Sequence, residues 1–218
     1  MRSRAFLYYI SDRSAFAGPE SARRDALLRN ISEAARAGVE YVQLREKDLC
    51  GRGLEELARE AVRVVREAGT RTTLLINSRT DVALAVRADG VHLRAEDVSA
   101  REVREMWERS DVPVEKAPVI GVSCHSVADV ARAAADGASF ALFAPVFEKR
   151  DAPQIEAAGL VRLREACREN IPVLALGGVT VENARACLEA GAAGIAGIRV
   201  FQEGDVAEAV AKWREQSG

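Results

Sequence analysis

One pattern limits this chain more than any other. A short apolar run followed by an amphipathic stretch recurs eight times from end to end. The runs lie at residues 6–10, 41–44, 72–77, 90–93, 119–123, 140–143, 172–176 and 194–198. Apolar runs of this length read as strands buried on both faces. The stretches at 23–37, 54–68, 80–86, 99–109, 127–136, 157–170, 181–190 and 205–214 carry a helical rhythm. In the first of them Leu27, Leu28, Ile31, Ala34 and Ala35 recur at steps of three and four, which gathers them on one helix face. Gly38, Gly69, Gly137 and Gly191 close four of these helices. The joints 37–41, 88–92, 136–140 and 190–194 read as one recurring helix-to-strand connection. Spread over 218 residues the units average about 27 residues, the spacing a closed (β/α)8 TIM barrel needs. An open doubly wound α/β sheet is the competing architecture. It would show a dinucleotide glycine pattern after the first strand, and residues 11–22 contain none. No linker interrupts the series, so residues 1–218 are expected to form a single (β/α)8 barrel domain.

Charge removes several function classes. The 31 basic and 33 acidic side chains leave a formal charge of −2. No basic excess is available to drive counterion release from nucleic acid. There is no run of about 20 apolar residues to span a membrane, and residues 1–10 show no leader-like apolar segment. Cys50, Cys124, Cys167 and Cys187 lie far apart without paired metal spacing, as expected of free thiols in a cytoplasmic protein. Val and Ala scattered on the outer helices leave room for a homo-oligomer.

In a barrel the C-terminal strand ends share one rim, where ligands bind. The second strand ends in Gln43, Arg45, Glu46 and Lys47, the third in Asn77 and Ser78, the fourth in His92 followed by Asp97. The fifth offers Ser123 and His125, and the loop after the sixth carries Glu148, Lys149, Arg150 and Asp151. The seventh closes on Gly177-Gly178. Arg45, Lys47 and Lys149 suit an anionic substrate. Glycines without a Cβ let backbone N–H groups approach phosphate oxygens, although the same pair also makes a tight turn. Two anion sites on one rim point to phosphorylated small molecules. Asp97 reads either as a ligand for a hard divalent cation or as a charge near the helix N-terminus at Ser99. His125 has the titration range of a proton shuttle, and a structural histidine is the competing role. Cys124 is expected to face the barrel wall, and His92 to support the site from behind. No nucleophile has an adjacent base.

The pieces Gln43-Leu-Arg-Glu-Lys47, Ile76-Asn77, Ala88-Asp-Gly-Val-His-Leu93 with Glu96-Asp97, Gly121-Val-Ser-Cys-His-Ser126 and Ala175-Leu-Gly-Gly-Val-Thr180 resemble one family across residues 8–213. It is that of thiamin phosphate synthase and its sister, the thiazole tautomerase. The resemblance implies a transferase that joins hydroxymethylpyrimidine diphosphate to thiazole phosphate, releasing diphosphate. By position, Arg45, Lys47 and Asn77 would hold the diphosphate, Asp97 would bind Mg²⁺, Gln43 and Ser123 would orient the pyrimidine, and Gly177 and Gly178 would hold the thiazole phosphate. Three departures stand out. Ser78 replaces the usual second carboxylate. Arg94-Ala-Glu-Asp97 replaces Gly-Gln-Glu-Asp. The segment 147–153 lacks the threonine clamp, with Lys149 or Arg150 as its cations. These departures keep two alternatives open: a metal-free tautomerase using His125, and a non-catalytic barrel that binds phosphate ligands and regulates a partner.

Overall fold

Eight parallel strands pair in sequence order and the last closes onto the first, giving the expected (β/α)8 barrel. The computed structural model describes residues 4–110, 116–148 and 154–216. The strands are β1 (Phe6–Ile10), β2 (Tyr41–Leu44), β3 (Thr73–Asn77), β4 (Gly90–Leu93), β5 (Val119–Cys124), β6 (Phe140–Phe143), β7 (Val173–Ala175) and β8 (Gly194–Gly197). Between and after them run α1 (Glu20–Arg36), α2 (Gly51–Glu67), α3 (Thr80–Val86), α4 (Ala100–Glu108), α5 (Val127–Ala135), α6 (Gly159–Ala166), α7 (Val181–Glu189), the single-turn α8 (Arg199–Gln202) and α9 (Val206–Gln216).

The differences from the sequence reading fall at element ends and in the extra single turn α8. The helix expected at 54–68 begins earlier, at Gly51. First-turn N–H groups need no intrahelical partner, so glycine there weakens the helix little. Pro19 stands at the N-cap of α1, which therefore starts at Glu20 inside the segment expected to be loop. The helix expected at 157–170 is confined to Gly159–Ala166. The four similar joints are also not all alike. Gly38, Gly137 and Gly191 take left-handed backbone at the helix ends, with φ of 83°, 76° and 108°. At the 88–92 joint Arg87 takes that role with φ 56°. Gly90 lies within β4 because a Cβ there would meet the Val119 carbonyl oxygen at 1.8 Å.

Alternation along each strand divides the apolar residues into two layers. Leu7, Tyr9, Val42, Leu44, Leu74, Ile76 and Cys124 face outward into the layer beneath the helices. Tyr8, Ile10, Leu75, Phe140, Leu142 and Leu174 fill the barrel interior. Aromatic residues are few, and several gather inside. Tyr8 packs edge-on to Phe140 with centroids 5.4 Å apart, and Tyr41 lies 4.9 Å from Phe140. Room for them comes from small neighbours. A Cβ on Gly121 would lie 2.5 Å from the Phe140 ring, and one on Gly194 would meet the Phe6 carbonyl oxygen at 2.3 Å. At the opposite rim, residues just before alternate strands accept hydrogen bonds from the preceding strand. Leu7 N donates to Glu40 (2.8 Å), Leu74 N to Asp89 (2.7 Å) and Ile120 N to Ser139 (3.0 Å). Arg214 on α9 ties Glu40 (2.7 Å) and the Gly38 carbonyl (2.9 Å) into the same corner. No helix among the described residues is long and apolar enough to cross a membrane.

Candidate active site

The charged triplet after β2 splits into two functions. Glu46 is 6% exposed and turns back into the protein. Its carboxylate accepts from Ser11 Oγ (2.5 Å), Arg13 N (3.0 Å) and Arg13 Nη1 (3.1 Å). Arg13 is buried as well, and grips Asp48 with both Nη atoms at 2.6 and 2.7 Å. Ser11 Oγ accepts from Arg45 N at 2.9 Å. This knot fixes the turn and leaves Arg45 half-buried and Lys47 exposed on the other side. Among the described residues neither side chain has an ion-pair partner. The Lys47 ammonium is held below its ordinary pKa by neighbouring Arg45, then by partial burial, then by Arg94. Lys47 therefore feels one cation after β2 and another after β4.

A buried polar chain lies beneath them. Gln43 Nε2 donates to Tyr8 Oη at 3.0 Å, Tyr8 Oη lies 2.9 Å from His92 Nδ1, and His92 Nε2 lies 2.8 Å from Ser123 Oγ. Tyr8, Gln43 and His92 are each at most 2% exposed. The Tyr8 oxygen accepts from Gln43, and among the described residues its hydrogen has one acceptor, His92 Nδ1. The imidazole therefore carries its proton on Nε2 and donates to Ser123. Burial, with Arg45 nearby and Asp97 opposing, lowers the His92 pKa to about 3, so the ring stays neutral. Ser123 accepts from His92 and keeps its own hydroxyl hydrogen for a ligand. Residues of four strands thus orient one amide and one hydroxyl.

At the end of β3, Ser78 adopts left-handed backbone with φ 59°, held by its N–H on the His92 carbonyl at 2.9 Å. Such strain in a non-glycine residue concentrates at functional positions. Ser78 Oγ accepts from Asn77 Nδ2 (3.2 Å) and Arg94 Nε (3.1 Å). Asp97 faces the same group. Its Oδ1 accepts from Arg94 Nε (3.2 Å) and Nη2 (2.9 Å), and its Oδ2 from Arg94 N (2.8 Å). Burial alone would raise the Asp97 pKa, but hydrogen bonds from Arg94 and Ser78 hold it below the ordinary value. The helix-charge reading of Asp97 does not describe this geometry. α4 is capped by Ser99 and Glu102, where Ser99 Oγ accepts from Glu102 N at 3.2 Å and Ser99 N donates to Glu102 at 2.8 Å.

The Mg²⁺ site implied at Asp97 does not fit the residues as they stand. A small divalent cation wants a carboxylate with free lone pairs. Here nitrogen donors occupy both oxygens, and neighbouring Ser78 is neutral. Among the described residues no group of three or more His, Cys, Asp or Glu is arranged to hold a metal ion.

His125 follows β5 and is exposed. Its Nδ1 lies 2.8 Å from the Ala144 carbonyl oxygen, an acceptor only, so a neutral ring donates from Nδ1 and leaves Nε2 unprotonated. After β7 the glycine pair takes φ of 91° at Gly177 and 64° at Gly178. A Cβ on Gly178 would meet the Glu148 carbonyl oxygen at 2.6 Å, because the segment after β6 runs against it. Phe147 N donates to the Gly177 carbonyl at 2.9 Å in that contact. Lys149 lies outside the described residues, as do Arg150 and Asp151.

The rim thus brings together Gln43, Arg45, Lys47, Asn77, Asp97, Ser123 and His125 on four consecutive strand ends, with Gly177-Gly178 three strands round from β4. Comparison with known proteins gives the arrangement its context. The family model described as thiamine monophosphate synthase matches residues 7–201. This chain belongs to that family. A putative thiamine-phosphate synthase 2 of Aquifex aeolicus is 37% identical over 90% of this chain and 97% of its own length. A putative thiamine-phosphate synthase of Geobacter sulfurreducens is 44% identical over 87% of this chain and 83% of its own length. Among solved structures, thiamine phosphate pyrophosphorylase from Pyrococcus furiosus superposes with a TM-score of 0.80 at 31% identity, covering 99% of this chain and 96% of that one. These names support the synthase reading and not the tautomerase alternative.

Sequence reasoning missed four residues that organise this rim: Tyr8, Ser11, Arg13 and Arg94 with its clamp. Arg94 carried a signal, being a cation three residues before Asp97 where the resemblance has glycine. Tyr8 and Arg13 carried none, since their partners lie 84 and 33 residues away in sequence.

Proposed function

We propose that this synthase-family barrel joins hydroxymethylpyrimidine diphosphate to thiazole phosphate, forming thiamin phosphate and free diphosphate. The observation that carries the reading is the pair Arg45 and Lys47, fixed at one rim by the Glu46 knot and left without acidic partners among the described residues. Cations placed at a strand end without acidic partners suit a polyanionic leaving group.

The bond that breaks joins the pyrimidine methylene carbon to a diphosphate oxygen, and its electron pair leaves on that oxygen. The bond that forms joins the methylene carbon to the thiazole ring nitrogen, whose lone pair supplies the electrons. No proton is required in either step. Arg45, Lys47 and Asn77 hold the departing diphosphate and offset its charge as it develops. Gln43 presents its amide, and Ser123 a hydroxyl aimed by His92, to orient the pyrimidine. The backbone at Gly177 and Gly178 receives the thiazole phosphate, where side chains would block approach. Holding both reactants in line contributes as much as charge, since orientation alone supplies several kcal/mol. His125 has no proton to move in this reaction. Its unprotonated Nε2 is what a proton shift on a thiazole phosphate carboxylate would use.

Purified protein given both precursors should form thiamin phosphate and diphosphate in equal amounts. Absence of product, together with isomerisation of a thiazole phosphate carboxylate that His125→Ala abolishes, would replace this reading with the tautomerase. Ligand uptake with neither product would leave a binding protein.

A further inference from the structure

The clamp at the ends of β3 and β4 carries a conclusion about how this rim binds anions. It rests on the proposed diphosphate site. Asp97 is 11% exposed at its side chain, so its few contacts matter. A carboxylate offers about four lone-pair directions. Arg94 Nε, Arg94 Nη2 and Arg94 N take three of them, and the Ser78 hydroxyl, which accepts from Arg94 Nε, has its own hydrogen to give to Asp97. The carboxylate is thereby satisfied from within the protein. Arg94 is also held flat. Its fork lies on Asp97, its Nε is shared with Ser78, and the turn is closed by Asp97 N donating to the Arg94 carbonyl at 3.2 Å. Among the described residues Nη1 has no partner, and the side chain is 55% exposed. The guanidinium is within electrostatic reach of Lys47, which is itself beside Arg45.

A divalent cation at Asp97 would have to displace a guanidinium that already carries positive charge to the same place. Ser78 supplies no second carboxylate to favour that exchange. We infer that Arg94, clamped by Asp97 and Ser78, is an anion-binding residue of this rim and supplies the fixed positive charge, so that diphosphate binds here without a divalent metal ion. Three cationic side chains then face the ligand against one carboxylate. With Nε and Nη2 committed to Asp97, the Nη1 end of a guanidinium that is always charged remains to donate to a phosphate oxygen.

Calorimetric titration of inorganic diphosphate into the full chain tests this. Wild type is expected to bind in EDTA, and millimolar Mg²⁺ is expected not to tighten binding, since the metal competes for free diphosphate in solution. Arg94→Ala should weaken binding in EDTA by about tenfold or more, the loss of one charge-assisted contact. It should recover with Mg²⁺, because Asp97 is then free. Arg94→Gln keeps length and a donor for Asp97 without the charge, and should show the same loss in EDTA if Arg94→Ala fails to fold. Wild-type binding that appears only with Mg²⁺ would overturn this inference and leave the synthase reading standing. Unchanged affinity in EDTA for either variant would overturn the role of Arg94. No diphosphate binding in either buffer would overturn both this inference and the assignment of the diphosphate end.

Discussion

The two ends of the rim are proposed to hold anions by different means. From β2 to β4 the proposed site is made of side chains: Arg45 and Lys47 beside the Glu46 knot, and Arg94 held by Asp97 and Ser78. At β7 it is made of backbone, and what matters is the lack of a side chain at Gly177 and Gly178. Removing charge from the first end is expected to leave the barrel folded. The second end is part of the packing between β7 and the segment after β6, so its function and stability are not separable. In the proposed reaction, a polyanion that must leave is met by side-chain charge, and a phosphate that only needs to be held is met by shape.

The largest effect expected from this contrast is on turnover. Arg45→Ala should lower kcat/KM for the diphosphate-bearing substrate by about a hundredfold or more, a loss of about 3 kcal/mol of transition-state stabilisation, with little change in the melting temperature. Equal losses in activity and stability would erase the distinction between the two ends. Gly178→Ala should do the reverse. Left-handed backbone and a Cβ placed 2.6 Å from the Glu148 carbonyl oxygen together should cost about 3 kcal/mol in urea denaturation. A stable Gly178→Ala variant would show that the close approach is not required.

The chain that aims Ser123 gives a smaller, pH-dependent effect. His92 has its folded pKa lowered to about 3, against roughly 6.5 in the unfolded chain. Between those values the unfolded state binds the extra proton, so stability falls as pH drops below the unfolded value. By pH 5 the loss should be about 2 kcal/mol. Denaturation of wild type at pH 7 and 5 should show it, and His92→Gln should flatten the difference. An unchanged acid limb in the variant would mean that the imidazole is not the group responsible. Smallest of all, Ser99→Ala should cost about 1 kcal/mol by uncapping α4 and leave diphosphate binding alone. A loss of binding there would couple the α4 cap to the Asp97 clamp.

How far the sequence revealed these two ends follows from the kind of interaction involved. The barrel was legible because its strands are local apolar runs, and β4 and β6 fall where the runs do. Arg45 and Lys47 were legible as charges ending a buried strand, and Gly177-Gly178 as glycines ending another. Glu46 was not, because it differs from its neighbours only through Ser11 and Arg13 on the preceding strand's loop. The fate of Asp97 was open for the same reason. Its spacing from Ser99 suggested a helix charge and its family position a metal ligand, while the folded chain gives it to Arg94. Gly51 misled for a local reason, since glycine in a first helical turn looks like a loop residue. Contacts along one element could be read in advance; contacts between strand ends required the closed barrel.

The central claim is that one rim holds two separate anions, one by side-chain charge and one by backbone. Titrating thiazole phosphate into protein saturated with inorganic diphosphate tests it most directly. The account predicts one equivalent bound at an affinity no weaker than without diphosphate. Mutual exclusion of the two ligands would contradict it, reducing the rim to a single anion site.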